Sequence, residues 1–387
     1  MNLSAIQSVL RDRKFDAWLF YDHHHRDPIA YGVLGLSANL HVTRRWYYLV
    51  PAQGEPAKLV HRIEAKHLDS LPGKKLEYSA WQEQHAQLKA VLAPYKSIAM
   101  QYSPNNAVFL IGLVDAGTIE LIRSFGHEVV SSGDLVSTFE ATWTEEQIAS
   151  HFSARDAIDQ IMQQSFQEIG RRVRNGGTNE YEIQQWISEA FRREKLSYDD
   201  PAIVGVNENS ANPHYSPKKD SAKPIREGDF VLLDMWGKKQ LPNSVYYDIT
   251  WTGVVGTPTE RQNEIFHIVK TARDAGFQKA KSALDAKKKC AGWEVDEVTR
   301  RSITDAGYEK YFIHRTGHSI GMEVHGNGAN MDNLETKDER EILPNTCFSI
   351  EPGVYLEDFG VRSEFDVLVR NGSAEVTGRI QQELVRI

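Results

Sequence analysis

Cysteine is nearly absent from this chain: its 387 residues carry two, Cys290 and Cys347, far apart in sequence. That excludes a disulfide-stapled secreted scaffold and a cysteine-rich zinc module alike. Long hydrophobic runs are missing too. The longest uninterrupted apolar stretch, around Val108 to Val114, falls far short of the about 20 residues that a membrane-spanning helix needs. Nor is there a basic excess. Lys and Arg total 45 against 53 Asp and Glu, a formal net charge of -8, which argues against a general nucleic-acid binder. Short repeats and low-complexity linkers do not occur. The opening residues, MNLSAIQSVLRDRKFDAWLF, lack the apolar core and small-residue cleavage site of a secretory leader. The expectation is a cytoplasmic protein with no membrane and no nucleic-acid partner.

What is present is the balance of a globular protein, 41% apolar and 25% charged, at a length that favours two domains. The opening residues read as an amphipathic helix, with Ser4 as candidate N-cap and Ile6, Val9 and Leu10 on one face. Strand-like runs follow at Ala17 to Tyr21, Trp46 to Val50, Lys58 to His61 and Ile98 to Gln101, with a helix from Ala116 to Phe125. Residues 1–142 therefore read as an α/β domain. Near residue 142 the pattern changes. Thr144 and Gln147 form a capping box, and Ile148, Phe152, Ile158, Met162, Phe166, Ile169 and Val173 recur behind it at helical spacing. A second helix spans about Asn179 to Lys195. Strands follow at Asp229 to Met235 and Tyr246 to Val255. Two more helices, Glu260 to Leu284 and Val295 to Ala306, precede strands at Thr346 to Ile350 and Glu364 to Val369. The order helix, helix, strands, repeated, predicts two similar halves sharing one sheet across residues 143–387.

The reactive groups gather in that second part. Asp234 closes the apolar run Phe230-Val-Leu-Leu, where a carboxylate is costly unless paired or bound to a cation; a turn aspartate leading into Gly237 is the plainer reading. Asp248 lies inside Tyr-Tyr-Asp-Ile-Thr-Trp-Thr, a second carboxylate in a β-branched and aromatic strand. His314-Arg-Thr-Gly-His318-Ser-Ile-Gly-Met-Glu-Val-His325 packs three histidines among glycines, a poor helix and a poor core. Imidazole is the commonest ligand of transition metals and is poised for proton transfer near neutrality. Glu351 ends another apolar strand before Pro352-Gly353. Alternation puts Arg362, Glu364 and Asp366 on one strand face. Asp234, Asp248, Glu351 and Glu364 together would repel one another or take up protons unless about four positive charges sat among them. Two divalent cations sharing a water that becomes hydroxide, a known hydrolytic device, satisfy that requirement.

These segments resemble the signature of the pita-bread metallopeptidases: aminopeptidase P, prolidase, methionine aminopeptidase and the related creatinase. The matching pieces are the aspartate-bearing strand pair with Asp248-Ile-Thr, the His318 to His325 segment, Glu351-Pro-Gly and Arg362-Ser-Glu364. The resemblance implies a creatinase-like α/β domain over 1–142 and an α+β pita-bread catalytic domain over 143–387. It implies that Asp234, Asp248, His318, Glu351 and Glu364 hold two divalent ions (Mn²⁺, Co²⁺, Zn²⁺ or Fe²⁺), with Asp248 and Glu364 bridging and Thr250 behind them. His214 and His325 would face the substrate, Glu351 would handle the proton of the attacking water, and His314, Tyr355 and Arg362 would hold a proline ring. The implied activity is hydrolysis of peptide bonds to proline by a homodimer, in the Xaa-Pro aminopeptidase form, with Xaa-Pro dipeptidase as the alternative. A lyase or amidinohydrolase of the same fold and a non-catalytic binding protein are the other readings. Three departures stand out: a loop between Asp234 and Asp248 three residues longer than usual, Trp251 where Arg is frequent, and Gly326 where an acidic residue is common. His23-His24-His25 reads as a solvated loop, with a reach towards a neighbouring subunit as the other reading.

Overall fold

In the computed structural model of the chain, which describes residues 1–387, Asn2 rather than Ser4 starts the first helix, α1 (Leu3–Asp12). Both residue types cap well. The carboxamide of Asn2 takes the N–H of Ala5 at 3.1 Å, and the Ser4 hydroxyl turns back to the same oxygen. Residues Met1–Glu140 form one of two units. Its strands are β1 (Ala17–Asp22), β2 (Trp46–Pro51), β3 (Ala57–His61), β4 (Lys74–Tyr78), β5 (Ser97–Met100) and β6 (Glu128–Ser131). They form one mixed sheet in the order β4-β3-β2-β1-β5-β6. Strand alternation sends Trp18 and Phe20 to one apolar cluster, and Ala17, Leu19 and Tyr21 to another on the opposite face. Helices α2 (Pro28–Leu34), α3 (Trp81–Leu92), α4 (Ala116–Ser124) and α5 (Gly133–Glu140) complete the unit. The three histidines follow β1. The buried Asp22 carboxylate fixes their loop by accepting the N–H groups of His25, Arg26 and Asp27 and the Tyr31 hydroxyl. His24 and His25 stay exposed.

Residues Ala141–Ile387 form the other unit. Its first helix, α6 (Glu145–Arg174), begins at the expected capping box: Thr144 Oγ1 accepts the Gln147 N–H at 3.2 Å, and Gln147 Oε1 accepts the Thr144 N–H at 2.9 Å. There follow β7 (Thr178–Asn179), α7 (Glu180–Arg193), β8 (Leu196–Ser197), β9 (Ile203–Val206), β10 (Pro224–Ile225), β11 (Phe230–Lys239) and β12 (Tyr247–Val254). After α8 (Glu260–Asp285) and α9 (Gly292–Asp305) come β13 (Ser319–Ile320), β14 (Cys347–Ile350), β15 (Gly353–Tyr355), β16 (Gly360–Arg362), β17 (Phe365–Arg370), β18 (Ser373–Val376) and β19 (Val385–Arg386). No helix is long and apolar enough to cross a membrane.

The two halves do not share one continuous sheet, contrary to expectation. β19, β12, β11, β9 and β8 make one sheet, and β13, β14, β17 and β18 another. The reason lies at the join. There the Asp248 N–H is taken by the Asp366 side chain at 2.9 Å, and the Glu364 N–H reaches Thr250 O at 3.1 Å. After that one main-chain bond from Glu364, the Asp366 side-chain carboxylate takes the place a backbone carbonyl would have in a continuous ladder. Asp234 does not close its strand either. β11 runs on to Lys239, because Trp236 and Gly237 still pair with Asp248 and Tyr247. The extra loop residues lie beyond that pairing and leave the aspartates in register. Arg362, Glu364 and Asp366 are likewise not in one strand, since Glu364 falls between β16 and β17.

Candidate metal centre

The β11–β12 register sets Asp234 opposite Thr250 and Trp236 opposite Asp248, so both aspartates face the same way from adjacent strands. Asp248 and Glu364 join His318 in a buried group whose possible ligand atoms all lie within 4.8 Å of one another. His318 Nε2 is 3.2 Å from Glu351 Oε1 and 3.7 Å from Asp248 Oδ2. Its Nδ1 contacts Ser319 O at 3.2 Å and can only donate there, which turns Nε2 towards the carboxylates. Thr250 Oγ1 donates to Glu364 Oε2 at 2.7 Å and accepts Arg362 Nε at 3.1 Å. Arg362 also donates through Nη2 to Asp234 Oδ2 and, at 3.0 Å, through Nη1 to Tyr355 Oη. All five expected ligands thus converge on one place.

Their donor atoms fit cations. Asp234 Oδ1, Asp248 Oδ1 and Glu364 Oε1 are buried with no hydrogen-bond partner, a costly state for a carboxylate oxygen unless something positive faces it. Oxygen donors with one imidazole suit the divalent first-row metals.

The same crowding moves the proton equilibria. Burial first, and then Asp234 and other neighbouring carboxylates, raises Asp248 well above the usual carboxylate range; burial and Asp248 do the same to Glu364. Burial also works to raise Glu351, but the His318 and His314 rings and Arg362 outweigh it and hold that carboxyl low. His314 is pushed down to about 4, chiefly by burial, and Tyr355 up to about 12 for the same reason. A single chain of protons follows. Arg362 donates to Tyr355; the Tyr355 hydroxyl donates to His314 Nε2 at 2.7 Å; His314 Nδ1 donates to Arg315 O at 2.7 Å.

Residues 153–371 match the model of metallopeptidase family M24, and that stretch is more than half of the chain. The chain belongs to metallopeptidase family M24. An Xaa-Pro dipeptidase of Lactobacillus delbrueckii subsp. lactis is 33% identical over 245 residues, which are 62% of this chain and 60% of that relative. The match therefore spans less than two thirds of that relative's length. An Xaa-Pro dipeptidase of Pyrococcus furiosus is 31% identical over 255 residues, 65% of this chain and 67% of the relative. Among solved structures, dipeptidase PepE from Mycobacterium ulcerans superposes with a TM-score of 0.70 at 21% identity, covering 100% of this chain and 96% of that one. At that identity the likeness is one of fold: the second unit has the M24 pita-bread architecture, and the likeness extends through the first.

The other expected M24 site residues are found in differing states. His325 packs edge-on to His318, ring centroids 4.4 Å apart. That neighbour, together with desolvation, holds its pKa well below the ordinary histidine value. His214 is exposed, and only its backbone N–H is bonded, to Asn212. Arg362 is buried and committed to Asp234, Tyr355 and Thr250, so it is not an open cation for a substrate carboxylate. Arg315, which the sequence reading passed over, is half-buried and close enough to His325 to oppose its protonation, and its guanidinium is in no ion pair. Ser349 carries no expectation from the sequence, and Asp366 is expected only to share a strand face with Arg362 and Glu364. Their signals were present: Ser349 precedes Glu351 by one strand repeat, and Asp366 interrupts the apolar strand Phe365 to Val369.

The raised carboxyls carry a sign. In the cation-free protein, Asp248 and Glu364 bind protons more tightly than they do in the unfolded chain, so stability falls as pH rises from the ordinary carboxylate pKa, about 4, through the raised values. His151 and His314, both held to about 4 by burial, act oppositely, but only below about pH 6.5, the ordinary histidine value. Over the pH range above the ordinary carboxylate pKa in which Asp248 and Glu364 give up their protons, the melting temperature of chelator-stripped protein should therefore fall with pH, and fall less in an Asp248→Asn/Glu364→Gln variant or with divalent cation added. Thermal denaturation across pH checks this; equal slopes in all three samples contradict it.

Proposed function

We propose that this chain is a metal-dependent exopeptidase that hydrolyses peptide bonds to proline, using two divalent cations held by Asp234, Asp248, His318, Glu351 and Glu364. The observation that carries the reading is the set of buried, partnerless carboxylate oxygens around His318. The named activity of the two relatives, Xaa-Pro dipeptidase in both, supports the substrate class. Bound cations, among them Mn²⁺, Co²⁺, Zn²⁺ or Fe²⁺, supply Lewis acidity and lower the pKa of water. Asp248 and Glu364, which share one buried group of possible ligand atoms with His318, would help hold those cations.

The chain's own residues do the rest. Glu351, held ionised, takes the proton of the attacking water and passes it to the proline nitrogen as the C–N bond breaks. The neutral His325 ring donates an N–H to the oxyanion that forms at the peptide carbonyl. The exposed His214 lines the substrate side. The Tyr355 face and His314 provide a flat wall for the proline ring, held by the proton chain from Arg362. Homodimeric assembly, which rests on the resemblance, and a cytoplasmic location, which rests on the reading of the sequence, belong to the same proposal.

The aminopeptidase form leaves the far end of the substrate open. The dipeptidase form needs a cation for a free C-terminal carboxylate, and the unpaired Arg315 guanidinium is the observation that favours it. Comparing kcat/KM on an Xaa-Pro dipeptide and on the same peptide extended by one residue separates the two. A dipeptide preference of about tenfold, roughly 1.4 kcal/mol, that disappears in Arg315→Ala selects the dipeptidase form. A preference for the longer peptide selects the aminopeptidase form. Inactivity on both with cations bound overturns the peptidase reading. For His325→Ala the expected loss is about 10²–10⁴ in kcat, with metal content unchanged by elemental analysis; loss of metal would show His325 to be a ligand.

A further inference from the structure

Ser349 and Asp366 stand directly opposite each other in the β14–β17 pair, both fully buried, and neither is among the five candidate ligands. Between them they hold three of those five. Ser349 Oγ accepts the backbone N–H of His318 at 3.0 Å and donates its own proton to Glu351 Oε1 at 3.0 Å. Asp366 Oδ2 accepts the backbone N–H of Asp248 at 2.9 Å. The Ser349 N–H adds a main-chain bond to His318 O at 2.9 Å. Contact there is so close that a Cβ on Gly317 would lie 2.0 Å from Ser349 O. Asp366 has no other donor. Its Oδ1 is buried without a partner. His151, which comes near it together with Cys347, already spends both ring nitrogens on Tyr246 O and Thr377 Oγ1, at 2.7 Å and 2.9 Å. A buried carboxylate with one hydrogen bond is costly to the fold, and the bond it makes is to a candidate ligand on the other sheet.

We infer that Ser349 and Asp366 are positioning residues which, as a cross-strand pair, set the separation between Asp248 on one sheet and His318 and Glu351 on the other. The inference rests on the reading of these residues as cation ligands. Cation affinity depends steeply on how well the ligands are pre-set, and losing the groups that orient them costs about 10–100-fold in affinity. With Asp366 gone, the Asp248 N–H is left buried and unpaired and β12 is free to shift. With the Ser349 hydroxyl gone, both the His318 backbone and the Glu351 carboxylate lose their shared anchor.

The test is Mn²⁺ binding to chelator-stripped protein by titration calorimetry, with the melting temperature of each stripped protein measured alongside. Ser349→Ala and Asp366→Leu should each bind Mn²⁺ about 10–100-fold more weakly than the parent while still melting cooperatively. Asp366→Asn, which keeps an oxygen for the Asp248 N–H, should bind close to the parent, and kcat/KM at saturating Mn²⁺ should recover with it. If Asp366→Leu fails to fold, Ser349→Ala carries the same prediction. Parent-like affinity in Ser349→Ala and Asp366→Leu, or Asp366→Asn as weak as Asp366→Leu, overturns the positioning role. A parent protein that binds none of Mn²⁺, Co²⁺, Zn²⁺ and Fe²⁺ in the same titration overturns the cation reading, and this inference with it.

Discussion

Four carboxylates from two sheets meet at one buried seam, and only one guanidinium answers them. Everything else at the site adjusts to that imbalance. Arg362 is drawn to Asp234, the Thr250 hydroxyl bridges Arg362 and Glu364, and His318 turns Nε2 inward. The seam is also why the sheets are separate. A continuous ladder across β12 and β17 would give the Asp248 N–H a backbone acceptor where the Asp366 carboxylate now stands. In a low-dielectric interior such repulsion is relieved either by protons or by cations. The first turns the cluster into neutral acids with no work to do; the second turns the same residues into a hydrolytic centre.

Opposite the carboxylates, polarity is arranged to leave no ambiguity. From Arg362 through Tyr355 to His314 and the Arg315 carbonyl, each proton has one place to go. Burial keeps the imidazole neutral and the phenol protonated, so the chain does not switch direction near neutrality. A rigid Arg362 in turn fixes Asp234. The Tyr355–His314 wall and the carboxylate cluster are thus parts of one hydrogen-bonded structure, and a change at Tyr355 is felt at Asp234 through a single guanidinium.

Much of this was legible in the sequence, for a physical reason. A carboxylate inside an apolar strand is expensive, so Asp234, Asp248, Glu351 and Glu364 announce themselves by their surroundings. The capping box at Thr144 is equally local and was readable to the residue. What escaped depends on contacts between segments far apart in the chain. The break between the sheets needs the β12–β17 register, which no local pattern encodes. Ser349 and Asp366 are marked locally, by strand spacing and by a charge in an apolar strand, but the backbone N–H groups they accept belong to distant residues, so their role is not readable from the sequence. At the first helix, Asn2 and Ser4 are both good caps and spacing could not choose between them. The strand Lys74–Tyr78 went unread because it is a polar sheet edge.

The central claim is that the seam is completed by two divalent cations and is inactive without them. The most direct measurement is elemental analysis of gently purified protein, followed by turnover of an Xaa-Pro peptide before chelation, after it, and after re-addition of each candidate metal. The account predicts about two equivalents of metal per chain, loss of turnover on chelation and its return on re-addition. Full turnover by protein shown to contain no metal would contradict it.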